Sequence, residues 1–333
     1  MIEAGVNFYS LYGLTIEVRW EGKGIKDEID LLFSPFPFTM LSCLNNTSDI
    51  TLHFAATDIP PNIPYPKSEP ISFYGLSIYE MGDAFYITDG LSTFQARPQA
   101  GIGSITLYCS FKKNHPVSKY NLFLVGIFHL FPYQYFYHLH AAGLMKDGAG
   151  YLFIGESGSG KSSVSLGLVR QGWHYLSDDV LLLRLSVDGV EALSFRKRFY
   201  VDPALINHYP KITPYLKKTY DGEDTKQLLD LEPLYPDRFC PNCLPRVLIF
   251  TRIVSQSESK LIPIDQTSAL IKLMKQSATL FFNRKIIKEH AEVLKRLLYQ
   301  TQSYQLFLGT DVWEKPEKIS EVLGQHEECT HSF

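Results

Sequence analysis

The chain has 333 residues, of which 45% are hydrophobic and 20% charged, enough for two domains and a sizeable buried core. Its net charge of -3 at pH 7, with no long run of Lys and Arg, lacks the footprint of a protein that grips a nucleic-acid backbone. Residues 1–7 have no basic stretch followed by an apolar one, so no secretory signal is expected; the five cysteines, few and odd in number, fit a reducing cytoplasm.

The 22 Phe and 20 Tyr favour a β-rich portion, and the first part of the chain reads that way. Apolar and polar positions alternate over 13–20 and again over 104–110, as in half-buried strands. Between them, the proline-rich stretch 59–66 can continue neither strand nor helix and is expected to be a loop. Residues 1–112 are therefore expected to form a β-rich N-terminal domain, and residues 113–333 a second one.

The pattern changes near Pro116. A helix is expected over 120–137; His129, Pro132 and Gln134 interrupt its apolar run, which suits a buried helix leading into the second domain rather than a membrane span. Strands and helices then alternate. Residues 151–154 read as a buried strand, 162–170 as a helix closed by Gly172, and 174–177 as another strand. Asp188-Gly189 is a hairpin signal between strands over 180–185 and 190–195. A strand over 247–254 and helices over 268–276 and 284–301 follow; Ile287, Ala291, Leu294 and Leu298 share one face of the last helix. The final third reads as the cover of an α/β sheet.

Between the strand at 151–154 and the helix that follows lies Gly155-Glu156-Ser157-Gly158-Ser159-Gly160-Lys161-Ser162, which fits G-x-x-x-x-G-K-[ST]. Glycines there let successive N–H groups turn inward, making an anion nest at a helix N-terminus. Lys161 supplies charge to the outer phosphates, and the Ser162 hydroxyl suits a magnesium ion. ATP with Mg2+ is the expected ligand, with Ser163 also at the loop.

Asp178 and Asp179 follow at the end of a strand expected beside the loop. Two carboxylates there suit two jobs, holding the metal or its waters and accepting a proton from an attacking hydroxyl. His140 comes near the loop if its strand runs antiparallel to 151–154, as a partner of Asp178 or of the γ-phosphate. Weaker signals are the basic run Arg196-Lys197-Arg198, Lys226, the metal-like spacing of Cys240 and Cys243 with distant Cys329 and His331, and a glycosylation-like Asn45-Asn46-Thr47 that is meaningless without secretion.

The run from His140 through the loop to Gly172 and the Asp pair resembles the catalytic core of the HPr kinase/phosphorylase family, bacterial serine kinases sharing their core with phosphoenolpyruvate carboxykinase. The resemblance implies an α/β fold with a P-loop domain of that type, following the β-rich N-terminal domain read from the strand pattern, which does not resemble the N-terminal domain of that family. It implies Asp178 as the base toward a substrate serine, with His140 and Lys161 as catalytic neighbours and Ser162 and Asp179 at the metal. Enzymes acting on HPr carry a Glu directly after the loop's Ser, where this chain has Ser163. The chain is more similar to the HPr-kinase-related kinases of peptide biosynthesis clusters, which phosphorylate the tail of a precursor such as that of a lasso peptide. The expected partner is a serine-bearing protein or peptide, not nucleic acid or membrane, and a homo-oligomer stays open. Two other readings stay open as well, a nucleotide-binding regulatory module without transfer and a kinase of a small metabolite.

Overall fold

The structure, a computed structural model, describes residues 3–42, 47–59, 69–108, 116–197, 199–217, 227–277 and 284–330. The chain is mixed α/β and divides into two compact units, Met1–Phe136 with Phe282–Ile286, and Tyr137–Phe281 with Ile287–Phe333. No helix among the described residues is long and apolar enough to cross a membrane.

Among the described residues, the first unit holds nine strands: β1 (Ala4–Leu11), β2 (Leu14–Glu21), β3 (Thr39–Leu41), β4 (Ile50–Thr57), β5 (Ile71–Phe73), β6 (Leu76–Met81), β7 (Ala84–Thr88), β8 (Thr93–Arg97) and β9 (Ile102–Tyr108). They form one sheet in the order β3-β1-β2-β4-β9-β8-β7-β6-β5. Alternation along the strands buries Ile16, Val18, Leu52, Phe54, Phe94 and Ile105 on one face. Two helices cover that face, α1 (Ile25–Phe33) and α2 (Pro116–Leu130). Phe54 of β4 meets both Phe33 of α1 and Phe123 of α2. Each such buried aromatic or aliphatic side chain contributes about 1.5–3 kcal/mol. Over β8, a Cβ on Gly126 of α2 would lie 2.1 Å from the Phe94 ring, so only glycine lets helix and sheet approach this closely.

Here the structure departs from the sequence reading. The unit is β-rich, but α1 went unpredicted. Helix α2 ends at Leu130 rather than Tyr137 and packs on β7, β8 and β9. Its apolar surface is spent on the first sheet, so the division falls after Phe136 rather than at 112/113. Of the expected loop over 59–66, all but Ile59 lies outside the described residues, as do Asn45, Asn46, Arg198, Lys226 and His331 and the side chain of Cys329.

In the second unit, β10 (Tyr137–Lys146), β11 (Ala149–Ile154), β12 (His174–Ser177), β13 (Val180–Ser186) and β14 (Gly189–Ser194) come first. A three-stranded sheet follows, made of β15 (Phe199–Val201), β16 (Leu216–Lys217) and β17 (Gln227–Leu229). Then come β18 (Asn242–Cys243), β19 (Pro245–Ile253), β20 (Lys260–Pro263) and β21 (Gln302–Leu308). The large sheet runs β18-β14-β13-β10-β11-β19-β21-β20, with β12 paired to β10 beside that path. Strands β11, β19 and β21 are mutually parallel at its centre, so their carboxyl ends open on one edge.

Both faces are covered. On one, α3 (Lys161–Arg170) sets Val164 and Leu168 against Ile249 and Leu306, with Val322 of the helix Lys318–Thr330. On the other, α4 (Gln266–Lys275) and the helix Ile287–Tyr299 set Leu273, Val293 and Leu297 against Leu152 and Leu248. Between these two helical layers the central strands lose their alternation and become continuously apolar. The hairpin at Asp188-Gly189 forms as expected, with Gly189 at φ 128. The last third is more than cover, since it supplies β19, β20 and β21.

Candidate functional site

Strand β11 is buried throughout except at its first residue, and it delivers the chain to the carboxyl edge of the sheet at Ile154. The loop 155–160 turns back into α3, with Gly158 at φ 80 and Gly160 at φ 93, both in the left-handed region that glycine adopts freely. Gly155 is required for a different reason. A Cβ there would sit 2.5 Å from Ser159 Oγ and 2.9 Å from Thr251 Oγ1. Those two hydroxyls are 2.9 Å apart, so they tie the loop to β19. Glu156, Ser157 and Gly158 are exposed, while Lys161 at the first helical position is buried. Its Nζ donates to the carbonyls of Gly155 at 2.6 Å and Glu156 at 3.1 Å, folding the ammonium under the loop.

The aspartates reach this loop by an indirect route. Strand β12 pairs with β10 (Gly143 opposite Ser177) rather than with β11, so it lies one strand farther from the loop than expected. Strand β10 closes the gap, with Ala141 opposite Ile154 and the Ala141 N–H donating to the Asp179 carbonyl at 3.0 Å. The turn is held by buried Ser177, whose Oγ accepts the N–H groups of Asp179 at 3.3 Å and Val180 at 3.2 Å.

From this turn the two carboxylates point to different partners. Asp178, only 3% exposed, accepts the Ser162 hydroxyl on Oδ2 at 2.8 Å and the Tyr200 N–H at 3.4 Å. Its Oδ1 has no hydrogen-bond partner among the described residues. Burial pushes the Asp178 carboxyl up to about 6, with the Ser162 bond and the Lys161 charge pulling the other way. Asp179 takes the Nδ1–H of His140 on Oδ1 at 2.9 Å and pairs with Arg196 Nη1 through Oδ2. Burial works against its charge too, but the His140 bond and the Arg196 and Lys161 charges outweigh that. They hold the carboxyl well below the usual range.

Most of the expected residues therefore converge. The Ser162 hydroxyl, expected with Asp179 at the metal, bonds Asp178, and His140, expected to partner Asp178 or the γ-phosphate, bonds Asp179. His140 stands on β10 opposite Val180, its N–H donating to the Gln276 carbonyl at 2.9 Å. Ser163 is half-buried in the first turn of α3. Arg196, read only as part of a basic run, belongs to the cluster and stacks on Tyr200 with its guanidinium 3.9 Å from the ring centroid. Ser177, Tyr200 and Thr251 carried no sequence signal beyond their neighbours. Cys240 and Cys243 are buried in the apolar core, Cys240 Sγ donating to the Tyr175 carbonyl at 3.6 Å. Burial pushes the Cys240 thiol up to about 12 and raises Cys243 as well. No cluster of three or more His, Cys, Asp or Glu able to hold a metal occurs among the described residues.

No known family model and no curated protein matches the chain. Among solved structures, the chain is similar to that of the Hpr(Ser) kinase/phosphatase from Coxiella burnetii, at 15% identity over 59% of this chain and 99% of that one, with a TM-score of 0.31. A likeness of that extent fixes neither activity nor substrate.

Proposed function

We propose that the chain is an ATP- and magnesium-dependent cytoplasmic kinase passing the γ-phosphate to a serine hydroxyl of a small protein or peptide, such as the tail of a ribosomally made peptide precursor. The second unit is read as a phosphate-loop domain of the HPr kinase type, with the first unit helping to bind the acceptor. One observation carries the reading: a buried carboxylate, Asp178, hydrogen-bonded to the serine of a phosphate-type loop and holding one oxygen unpartnered. A carboxyl raised to about 6 is ionised in most molecules at neutral pH yet basic enough to accept a proton.

In this mechanism the loop N–H groups and the α3 N-terminus hold the phosphates, and Lys161 leaves its carbonyl partners for the outer phosphate oxygens. Asp178 Oδ1 takes the proton of the acceptor hydroxyl as its oxygen bonds to the γ-phosphorus; the bond from that phosphorus to the β–γ bridging oxygen breaks, and ADP departs. The Ser162 hydroxyl and the Asp178 carboxylate, both hard oxygen donors, would hold magnesium, which would supply neutralisation of phosphate charge. Asp179, with His140 and Arg196 on its two oxygens, is the fixed charge behind them.

The test is Asp178→Asn, assayed with radiolabelled ATP against serine peptides and against the products of neighbouring genes. Transfer should fall at least ~100-fold, the scale of general-base catalysis, while ATP affinity measured in EDTA, without the metal that Asp178 helps to hold, stays within a few-fold. Equal transfer by both proteins would remove Asp178 from the mechanism. Binding by the wild type without transfer to any acceptor would favour a regulatory module, and a labelled metabolite would replace the substrate class.

A further inference from the structure

Two residues close in sequence, Arg196 just past β14 and Tyr200 within β15, touch one aspartate each. Arg196 has a side chain only 9% exposed and pairs with Asp179 Oδ2. Tyr200 sends its N–H to Asp178 Oδ2 at 3.4 Å and lays its ring against the Arg196 guanidinium. With His140 on Oδ1, Asp179 has a cationic or N–H partner on each oxygen, neither of them from the phosphate loop. Adjacent carboxylates at the end of a strand are otherwise interchangeable in chemistry, and the one that meets the loop is decided by what restrains the other.

We infer that Arg196 is a positioning residue of the site: together with His140 it occupies both oxygens of Asp179, so that Asp178 alone is presented to Ser162 and the phosphate loop. This rests on the kinase reading above. Tyr200 serves the same end by stacking beneath the guanidinium, which fixes its plane and shields the pair from water. Arginine suits this place because a planar guanidinium can stack and pair at once, which an ammonium cannot do. With Arg196 removed, Asp179 keeps one N–H partner, loses the cation paired to its Oδ2, and is released to compete for Ser162.

The readout is the magnesium enhancement of ATP binding, the ratio of the Kd in EDTA to the Kd in excess Mg2+, titrated on the full chain with ATP alone as the probe. Arg196→Met should cut that ratio about tenfold while changing the Kd in EDTA less than threefold, and Arg196→Lys should recover part of it. Asp179→Asn should also lower the ratio, and the double variant should be no worse than the worse single one, because both act through one contact. A purely structural arginine would instead weaken binding equally with and without the metal, and that pattern would overturn the inference. So would an unchanged ratio in Arg196→Met, or a wild type that binds ATP without any magnesium enhancement. Should Arg196→Met not fold, Tyr200→Ala leaves every charge in place and should lower the ratio in the same direction. A wild type that binds no ATP at all contradicts the kinase reading itself, before any variant matters.

Discussion

Both units contain a strand that runs through a glycine turn into a helix, yet the two junctions invite opposite ligands. In the first unit β2 ends at Glu21, the turn carries Gly22 and Gly24 at positive φ, and α1 begins at Ile25. Its first turn holds Asp27 and Glu28, so the helix brings its own negative charge to its N-terminus. Glu28 is further paired to buried Lys119 of α2 at 3.1 Å. In the second unit the corresponding turn is longer, the first helical residues are Lys161 and Ser162, and no acid stands in the first turn. The two local folds are nearly the same. Whether the helix end is filled from within or left for an anion is decided by a few side chains.

The surroundings sharpen the contrast. The first sheet has helices on one face and spends its glycine Gly126 on close packing, whereas the second is covered on both faces and spends Gly155, Gly158 and Gly160 on the loop. Acid should probe the two interiors with the largest effect. In the first unit burial lowers His129 to about 4; in the second it lowers His138 to about 3, helped by the charges of His140 and His290, and His290 to about 4. A histidine whose folded pKa is depressed binds its proton more readily when unfolded. Its stabilisation is complete above about pH 6.5 and is lost as pH falls toward 4. By pH 4 this removes about 3 kcal/mol from the first unit and ~6 kcal/mol from the second. Asp178, raised to about 6, has the opposite sign and by pH 4 returns ~2 kcal/mol to the second as it protonates. Hydrogen exchange resolved by segment should therefore show both units losing protection by similar amounts between pH 6.5 and 4. His129→Gln should flatten the loss in the first unit alone, and a first unit indifferent to acid would contradict the account.

A pair of glycine substitutions should separate the units more cleanly, with smaller effect. Gly126→Ala drives a methyl into the Phe94 ring and should cost the first unit about 1–3 kcal/mol, leaving ATP affinity within twofold. Gly160→Ala meets only the flexible end of Leu308, at 2.6 Å, so its cost is chiefly the φ of 93, about 1–2 kcal/mol. It should also weaken ATP binding about tenfold. Equal effects of the two on ATP would mean that the loop is not the binding element.

The phosphate loop was legible in the sequence because its chemistry is local: strand, glycine spacing, lysine and serine lie within a dozen residues. The Asp pair and His140 were legible as members of the site, but not as partners of one another. Adjacent side chains leaving a strand point to opposite sides, so one step of pleat decides which aspartate meets Ser162. That step depends on β12 pairing with β10, a non-local choice. The role of Arg196 was hidden for the same reason, since β13 and β14 must first fold back before it comes near Asp179. Helix α1 was missed because its nine residues mix acids with apolar side chains and start on a glycine without a capping side chain.

If the loop 155–162 of the second unit is the ATP site, calorimetric titration of ATP with magnesium should separate the wild type from Lys161→Met. One site per chain is expected in the wild type and a loss of about 100-fold in the variant, the cost of removing a buried charge partner. Equal affinity in the two proteins would contradict that assignment of the site.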